Sequence, residues 1–393
     1  MRTQREPDRA LPEPEADGRA HAARVRAAIV AALDARGGWM PVRDYVALAL
    51  YAPGLGYYAA GTRKFGAAGD FTTAPEMTSL FGTTLASQVA AVLESTGARE
   101  IVELGAGSGR LAIDLLRELD RLDAAPSRYA IVETSPDLRE RQRASIERDL
   151  PSWTGRVAWL DAPPGRIDGA ILMNEVLDAV PPDVVSRLDG RWHERGVTLD
   201  RRGDLAFSDR ALADPALEAL ARDRFPESGD YASEIPRAAE ALVEDLGRRL
   251  AGGALLAIDY GYPRREFYHP ERSGGTMMAH YRHRATADIF LWPGLADLTS
   301  HVDFTGIAEA GARAGLGVAG FASQAAFLIG CGILDRLAAF GDPSTPAYLR
   351  EAGAVQKLLS PAEMGEIFKV IALERGETIR WPGFARGDAS HRL

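Results

Sequence analysis

A glycine-rich turn is the segment of this sequence best suited to binding a nucleotide-type cofactor. It reads Glu103-Leu-Gly-Ala-Gly-Ser-Gly109. Glycine has no Cβ, so it adopts backbone angles and allows close approaches that other residues prevent. A cofactor can therefore lie against the turn and against the N-terminus of the following helix, which favours a negatively charged group. We expect Glu103, Gly105, Gly107 and Gly109 to form part of a cofactor site, the alternative being a tight turn without a ligand.

The spacing of these glycines separates two kinds of cofactor. Sites for NAD or FAD usually contain G-x-G-x-x-G, which would require a third glycine at position 110. That position is Arg110, and the pattern here is G-x-G-x-G after an acidic residue. This form resembles the first motif of class I methyltransferases, which bind S-adenosylmethionine (SAM). We therefore predict SAM as the cofactor.

Further acidic and amide side chains follow two other predicted strands. Glu133 ends the second strand, where a carboxylate can accept hydrogen bonds from both ribose hydroxyls. Asn174, Glu175 and Asp178 follow the fourth strand, and the carboxyl ends of parallel strands form the ligand crevice of such sheets. The alternatives are a solvated charge for Glu133 and a helix cap or surface turn for Asp178.

The fourth-strand segment also indicates a type of chemistry. A carboxylate can bind a guanidinium group through two hydrogen bonds and draw charge from the attacking nitrogen. Glu175 is the first candidate for this role, followed by Asp178 and Asp259. The N-P-P-Y motif of DNA amine methyltransferases is absent from the sequence.

Alternating strands and helices must position these residues. Short apolar strands flanked by helices predict a parallel sheet covered on both faces. The predicted fold class is therefore α/β, a Rossmann-like class I SAM-dependent methyltransferase fold with an N-terminal helical segment and inserted β-hairpin and helical regions. The predicted strands are 100–104, 129–133, 157–160, 169–173 and 254–259, followed by 316–321 and 369–374.

Composition shifts divide the chain into four predicted regions. In the first insertion, apolar alternation broken by Asp189-Gly190 and Arg202-Gly203 predicts β-hairpins. The regions are a disordered tail (1–18), a helical and glycine-rich loop region (19–84), a methyltransferase domain (85–380) with insertions at 184–235, 262–303 and 324–366, and a C-terminal tail (381–393).

Bulk properties weigh against several classes of protein. The 393 residues carry a formal net charge of −9, whereas phosphate binding needs clustered basic residues, so nucleic acid is not an expected partner. No run of 18 apolar residues predicts a membrane span, and the acidic N-terminal segment lacks the pattern of a leader, so we expect a cytoplasmic protein. Cys331 is interpreted as a small buried hydrophobe. His280, His283 and His301 are interpreted as structural, and no metal site is predicted.

Several longer segments make the chain similar to the MidA-type methyltransferases. This family includes a mitochondrial assembly factor that methylates an arginine of a core complex I subunit. The similarity extends from about residue 22 to 376. The matching segments are Tyr51-x-Pro-x-x-Gly-Tyr-Tyr58, Gly69–Glu76 with Phe81-Gly82, Glu103–Gly109, Asn174–Pro181, Ile258–Gly261, Pro293–Phe304 and Met364–Lys369.

The resemblance implies symmetric dimethylation of an exposed arginine in a protein, such as a complex I subunit, and a homodimer is a further expectation. It implies that Gly105, Gly107, Gly109, Glu133 and Asn174 bind the cofactor, that Glu103 supports the loop, and that Asn174 and Glu175 face the methyl group. The residues assigned to the substrate side are Asp70, Thr73, Glu76, Asp259, His283, Asp297 and Asp303, whose alternative roles are loop caps and turn residues.

One segment departs from the family pattern. Residues 275–283 follow the family loop only loosely, with His283 as the best match. Because this loop is expected to touch the substrate, the identity of the methylated protein stays open. The alternatives are a small-molecule methyltransferase and a catalytically silent assembly chaperone of the same fold.

Overall fold

The structure is a computed structural model that describes residues 12–60, 73–376 and 379–393. The chain divides into two compact units, each assembled from three separate segments. The first unit contains segments up to residue 72, 179–237 and 268–300, and the second contains 73–178, 238–267 and 301–393.

Helices and strands alternate through much of the described chain. The α-helices are α1 (Ala16–Ala35), α2 (Val42–Tyr51), α3 (Ala74–Met77), α4 (Ser79–Thr96), α5 (Arg110–Arg121), α6 (Pro136–Asp149), α7 (Pro215–Arg224), α8 (Arg237–Arg249), α9 (Arg264–Phe267), α10 (Phe304–Arg313), α11 (Gln324–Gly330), α12 (Ile333–Ala338) and α13 (Pro346–Leu359). The strands are β1 (Met40–Pro41), β2 (Glu100–Leu104), β3 (Arg128–Val132), β4 (Val157–Leu160), β5 (Ile167–Asn174), β6 (Asp183–Leu188), β7 (Arg191–Leu199), β8 (Leu205–Ala211), β9 (Tyr231–Ile235), β10 (Leu250–Tyr262), β11 (Met278–Tyr281), β12 (Arg284–Thr286), β13 (Asp297–Thr299), β14 (Val302–Asp303), β15 (Gly317–Ser323) and β16 (Phe368–Arg375).

The second unit is built on an eight-stranded sheet. Its order is β15-β16-β10-β5-β2-β3-β4, and β14 pairs with β10. Strands β10, β5, β2, β3 and β4 are mutually parallel, whereas β16 runs antiparallel to β10 and β15 antiparallel to β16. This arrangement confirms the predicted α/β fold. Because β2 lies between β3 and β5, the loops that follow these three strands emerge side by side at one edge of the sheet.

Apolar side chains hold this sheet between helices. Ile101, Ile131 and Leu172 belong to one buried cluster, together with Leu115 and Leu119 of α5. The cluster forms because α5 repeats apolar residues at helical spacing while the strands alternate them. The result is a rigid support beneath the loops at the carboxyl ends of the strands.

The first unit contains two antiparallel sheets. The larger has the order β1-β7-β6-β9 with β8 paired to β7, and the smaller has the order β12-β11-β13. Helices α1 and α2 pack on these strands through a cluster that includes Ile29, Tyr45 and Val197. Strands β6, β7 and β8 confirm the hairpins predicted between residues 184 and 207.

The structure differs from the sequence-based predictions at both ends of the chain. Helix α1 begins at Ala16, within the predicted disordered tail, whose first 11 residues lie outside the described part. In the predicted C-terminal tail, Pro382–Phe384 form a 3-10 helix. Phe384 packs on Phe327 with ring centroids 5.2 Å apart, because burying an aromatic ring stabilises this docking. Among the described helices, none is long and apolar enough to cross a membrane.

A hairpin within the segment that departs from the family pattern has a strained turn. Tyr281 pairs with Arg284, so β11 and β12 are joined by only Arg282 and His283. Both turn residues have positive φ, 46° and 59°. Two-residue hairpins of this type favour glycine or asparagine, since a Cβ is unfavourable at positive φ.

We expect His283→Gly to stabilise the protein by about 0.5–1 kcal/mol, because it relieves this strain. Urea unfolding measures the change. The reverse exchange, Gly190→His in the β6–β7 turn, provides a matched control. Gly190 has a φ of 74°, and an added Cβ there would meet no atom within 4 Å, so only backbone strain should lower its stability. A loss of stability in His283→Gly would contradict the prediction.

Candidate functional site

The glycine turn joins the end of β2 to the start of α5. Gly105, Gly107 and Gly109 all have positive φ, 63°, 55° and 82°. A Cβ on Gly105 would also lie 3.2 Å from Cγ2 of Val176, closer than most such contacts. The turn therefore requires glycine and presents bare backbone, as the sequence predicts. The N-cap of α5 is Gly109, which has no side chain to cap the helix N-terminus, the end of a helix that favours an anionic group.

Glu133 lies immediately after β3 and is held beside this turn. Its Oε1 accepts a hydrogen bond from the Ser135 N–H at 2.9 Å, and its Oε2 accepts one from Gln142 Nε2 at 3.2 Å. The same Gln142 nitrogen donates to the Gly107 carbonyl at 2.9 Å. Burial raises the pKa of Glu133. Gln142 thus connects the acid to the glycine turn, a role that no sequence motif indicated.

Glu103 faces the protein interior. It is 2% exposed, and one of its carboxylate oxygens accepts a hydrogen bond from the Tyr129 hydroxyl at 2.7 Å. Burial raises the pKa of Glu103 to about 7, a rise that the nearby Glu133 charge increases and the Tyr129 hydrogen bond opposes. This position fits support of the loop from below, which is the role that the family resemblance implies for Glu103.

The raised pKa of Glu103 predicts a pH-dependent stability. Between the ordinary pKa of 4.5 and about 7, the unfolded chain has lost this proton while the folded chain retains it. The contribution of Glu103 to the free energy of unfolding therefore falls as pH rises through this window, by on the order of 3 kcal/mol at most. Glu103→Gln cannot ionise, so we expect it to gain stability relative to wild type between pH 5 and pH 8. Urea unfolding at several pH values measures this gain, and parallel pH profiles of the two proteins would contradict it.

The turn after β5 carries the predicted catalytic residues. Glu175 has a φ of 53°, and its N–H donates to the Ile258 carbonyl at 2.9 Å. Asn174 Nδ2 donates to Glu175 Oε1 at 3.2 Å, which brings these two side chains together. A non-glycine residue in the left-handed region is uncommon and is found more often at functional sites.

Asp259 holds this turn in place. Its Oδ2 accepts hydrogen bonds from the N–H groups of Val176, Leu177 and Asp178 at 3.2, 3.0 and 3.3 Å. Its Oδ1 accepts the Tyr260 N–H at 2.9 Å, and the residue is 1% exposed. Burial, followed by the charges of Asp178 and Glu175, raises the pKa of Asp259 well above its ordinary value. These contacts favour a positioning role for Asp259, in place of the predicted substrate contact.

Asp178 is buried on the same turn, where its Oδ2 accepts a hydrogen bond from the Tyr260 hydroxyl. The Tyr260 ring lies edge-on to His301, with centroids 5.4 Å apart. His301 also packs against Tyr262, which supports its interpretation as a structural residue. Tyr260, which belongs to the family-matching segment Ile258–Gly261, links the turn after β5 to these aromatic residues, a role that the sequence did not assign to it.

Among the residues predicted for the substrate side, Asp70 lies outside the described part of the chain. Those of the second unit have different environments, and Thr73 is the N-cap of α3. Glu76 accepts a hydrogen bond from Ser108 of the glycine turn. Asp303 caps α10 by accepting the Gly306 N–H at 3.2 Å and also pairs with Arg264. The contacts of Asp303 fit its alternative role as a helix cap.

Two further predicted substrate residues belong to the first unit. Asp297 in β13 accepts hydrogen bonds from the Tyr58 hydroxyl at 3.0 Å to each carboxylate oxygen. His283 lies exposed in the β11–β12 turn. The hairpin segment is anchored by Glu234 of β9, whose Oε1 accepts the N–H groups of Thr276 and Met277 at 2.7 and 2.8 Å. The buried Glu234 is a positioning residue that the sequence did not indicate.

The residues at the glycine turn fit SAM. Bare backbone at Gly105–Gly109 can receive the cofactor, and Glu133 is placed to accept the ribose hydroxyls. Among the described residues, none donates a hydrogen bond to the buried Oδ1 of Asn174, which leaves an acceptor at the neighbouring strand end. A buried acceptor of this kind is satisfied when a ligand donates to it.

Comparisons with known proteins agree with this geometry. Residues 84–322 match a family described as S-adenosyl-L-methionine-dependent methyltransferase. The mitochondrial protein arginine methyltransferase NDUFAF7 of Mus musculus is 30% identical over 371 residues, covering 86% of this chain and 81% of that protein. Its Caenorhabditis elegans homologue is 30% identical over 295 residues, covering 68% and 67%.

A solved structure shows the same fold with a ligand. A COG1565 superfamily protein from Burkholderia thailandensis, bound to S-adenosyl-homocysteine, superimposes with a TM-score of 0.94 and 46% identity, covering 98% of this chain and 100% of that one. S-adenosyl-homocysteine is the product that SAM leaves after methyl transfer. The chain therefore belongs to the MidA-type family of SAM-dependent methyltransferases.

Proposed function

We propose that this enzyme methylates an arginine side chain of a protein substrate. The observation that carries the proposal is the placement of Glu175 on a strained turn at the carboxyl end of β5, fixed by Ile258 and Asp259. Relatives from several animals are named protein arginine methyltransferases, which supports the same substrate class.

The chemistry assigns distinct roles to the residues of this turn. SAM supplies a methyl group that is already activated by its sulfonium. The Glu175 carboxylate binds the guanidinium through two N–H groups, directs one nitrogen along the line of attack, and accepts the proton which that nitrogen loses. Asn174 orients Glu175, and Asp259 keeps the turn rigid.

We further propose that the product is symmetric dimethylarginine on a subunit of respiratory complex I, as the family resemblance implies. A cytoplasmic location and a homodimer are part of the same proposal, although the curated relatives are named mitochondrial proteins. Residues 275–283 differ from the family pattern and are expected to contact the substrate. The identity of the methylated protein is therefore the part of this proposal that these residues affect.

Labelled SAM tests the proposal. The purified protein is incubated with methyl-labelled SAM and a bacterial cell extract, and the labelled proteins are hydrolysed to amino acids. We expect label in a protein band, recovered as symmetric dimethylarginine and assigned by mass spectrometry to a complex I subunit. Label in another methylarginine, or in another protein, would contradict the finer proposal only.

The two rival functions give different results in the same experiment. Label confined to the low-mass fraction would indicate a small-molecule methyltransferase. Absence of transferred label, with SAM binding intact by calorimetry, would indicate a catalytically silent chaperone. Either result would overturn the proposed function.

A further inference from the structure

A carboxylate lies beside the glycine turn, near the N-terminus of α5. Glu76, in α3, accepts a hydrogen bond from the Ser108 hydroxyl, and Ser108 lies between Gly107 and Gly109. The same hydroxyl accepts the N–H of Arg110, the first residue of α5, at 3.3 Å. Glu76 is therefore fixed against the segment that receives the cofactor.

Gly107 and Ser108 of the glycine turn form hydrogen bonds with different side chains. Gln142 contacts the Gly107 carbonyl and links it to Glu133, whose carboxylate suits the uncharged ribose hydroxyls. Glu76 contacts Ser108. SAM is extended, with the ribose between its base and its methionyl group. A methionyl group directed toward Ser108 would bring its charged end to Glu76.

The charges near Glu76 favour an added cation. Glu76 forms no ion pair among the described residues. The nearby side chain of Arg110 pairs with Asp114 instead, with 2.7 Å between Arg110 Nε and Asp114 Oδ2. The charge of Glu76 contributes to raising the pKa of the buried Asp114, although burial is the largest cause. Asp114 is compensated by Arg110 and Arg117, so a further cation in this region would be stabilised mainly by Glu76.

The methionyl group of SAM presents a carboxylate and an ammonium group. The N-terminus of α5 suits the carboxylate, because the first N–H groups of a helix carry partial positive charge. The same environment is unfavourable for the ammonium, which needs an anionic acceptor. We propose that Glu76 binds the α-ammonium group of the cofactor. This inference concerns the cofactor alone and does not depend on the identity of the methylated substrate.

Calorimetry with two ligands tests the proposal. The ligands are S-adenosyl-homocysteine and its analogue lacking the α-amino group, which keeps the nucleoside and the carboxylate. Wild type should bind the complete ligand more tightly by about tenfold or more, the value of a charge-assisted hydrogen bond. Glu76→Gln should reduce this preference to about threefold or less, because only the ammonium contact is lost.

Glu147→Gln is the matched control. It removes one carboxylate that is exposed on α6 and has no assigned contact in the cofactor site, so the ratio of the two affinities should stay as in wild type. A Glu76→Gln protein that prefers the complete ligand as strongly as wild type would overturn the proposal, as would a wild type that binds both ligands equally. Thermal unfolding establishes that each variant is folded. Glu76→Ala, which also removes the carboxylate, replaces Glu76→Gln if the latter does not fold, and the same preserved preference would overturn the proposal.

Discussion

Gly107→Val is expected to weaken S-adenosyl-homocysteine binding by about 100-fold or more. The cofactor must approach the backbone of the turn closely, and a branched side chain would occupy that space. The φ of 55° at Gly107 is also unfavourable for valine, so the turn itself should be disturbed. Isothermal titration calorimetry measures the loss of affinity.

Gly155→Val is the control that separates loss of space for the cofactor from backbone strain. Gly155 also has positive φ, 88°, and no atom within 4 Å of the position that a Cβ would take. It belongs to the same unit but precedes β4, away from the glycine turn. We expect this variant to lose stability through backbone strain while binding the ligand as wild type does. Equal affinities for Gly107→Val and wild type would contradict the assignment of the cofactor site.

Glu175→Gln is expected to lower the rate of methyl transfer by about 10²–10⁴-fold. Glutamine keeps the shape of the side chain and can still accept the hydrogen bond from Asn174. It loses the negative charge that the proposed mechanism uses to bind the guanidinium and to accept its proton. The rate is measured as transfer of label from SAM to the proteins of a cell extract, and S-adenosyl-homocysteine affinity should stay within about threefold of wild type.

Glu147→Gln serves as the control for loss of one negative charge. Glu147 is exposed on α6 and has no assigned role in the site. Its removal should leave the rate of transfer unchanged. A Glu175→Gln enzyme that transfers methyl groups at the wild-type rate would show that Glu175 is not catalytic, even if SAM binding and the fold were intact.

The sequence predicted most of the sheet and the conformation of the glycine turn. The glycine turn could be identified because its requirement is local. Closely spaced residues must adopt positive φ, and the pattern Gly105-x-Gly107-x-Gly109 records this directly. The strands were found for a similar reason, since alternating or continuous apolar residues reflect the surroundings of each strand.

The ends of the chain and the segment 262–303 were less well predicted. The sequence indicated tails at the two ends and an insertion at 262–303 without assigned strands, yet Phe384 docks in the core and residues 278–299 contain three strands. Short strands and single anchoring side chains leave little periodicity in a sequence, because their stability comes from partners that are distant along the chain.

The sequence by itself determined which residues form the bare glycine turn, because that depends on the backbone freedom of neighbouring residues. Only the tertiary structure decided which contacts each acidic side chain makes. Asp259 holds the turn after β5, which lies 81–83 residues earlier in the chain, and Glu76 contacts Ser108, 32 residues away. The role of a carboxylate depends on which donors and charges surround it in space, and residue order alone does not specify those neighbours.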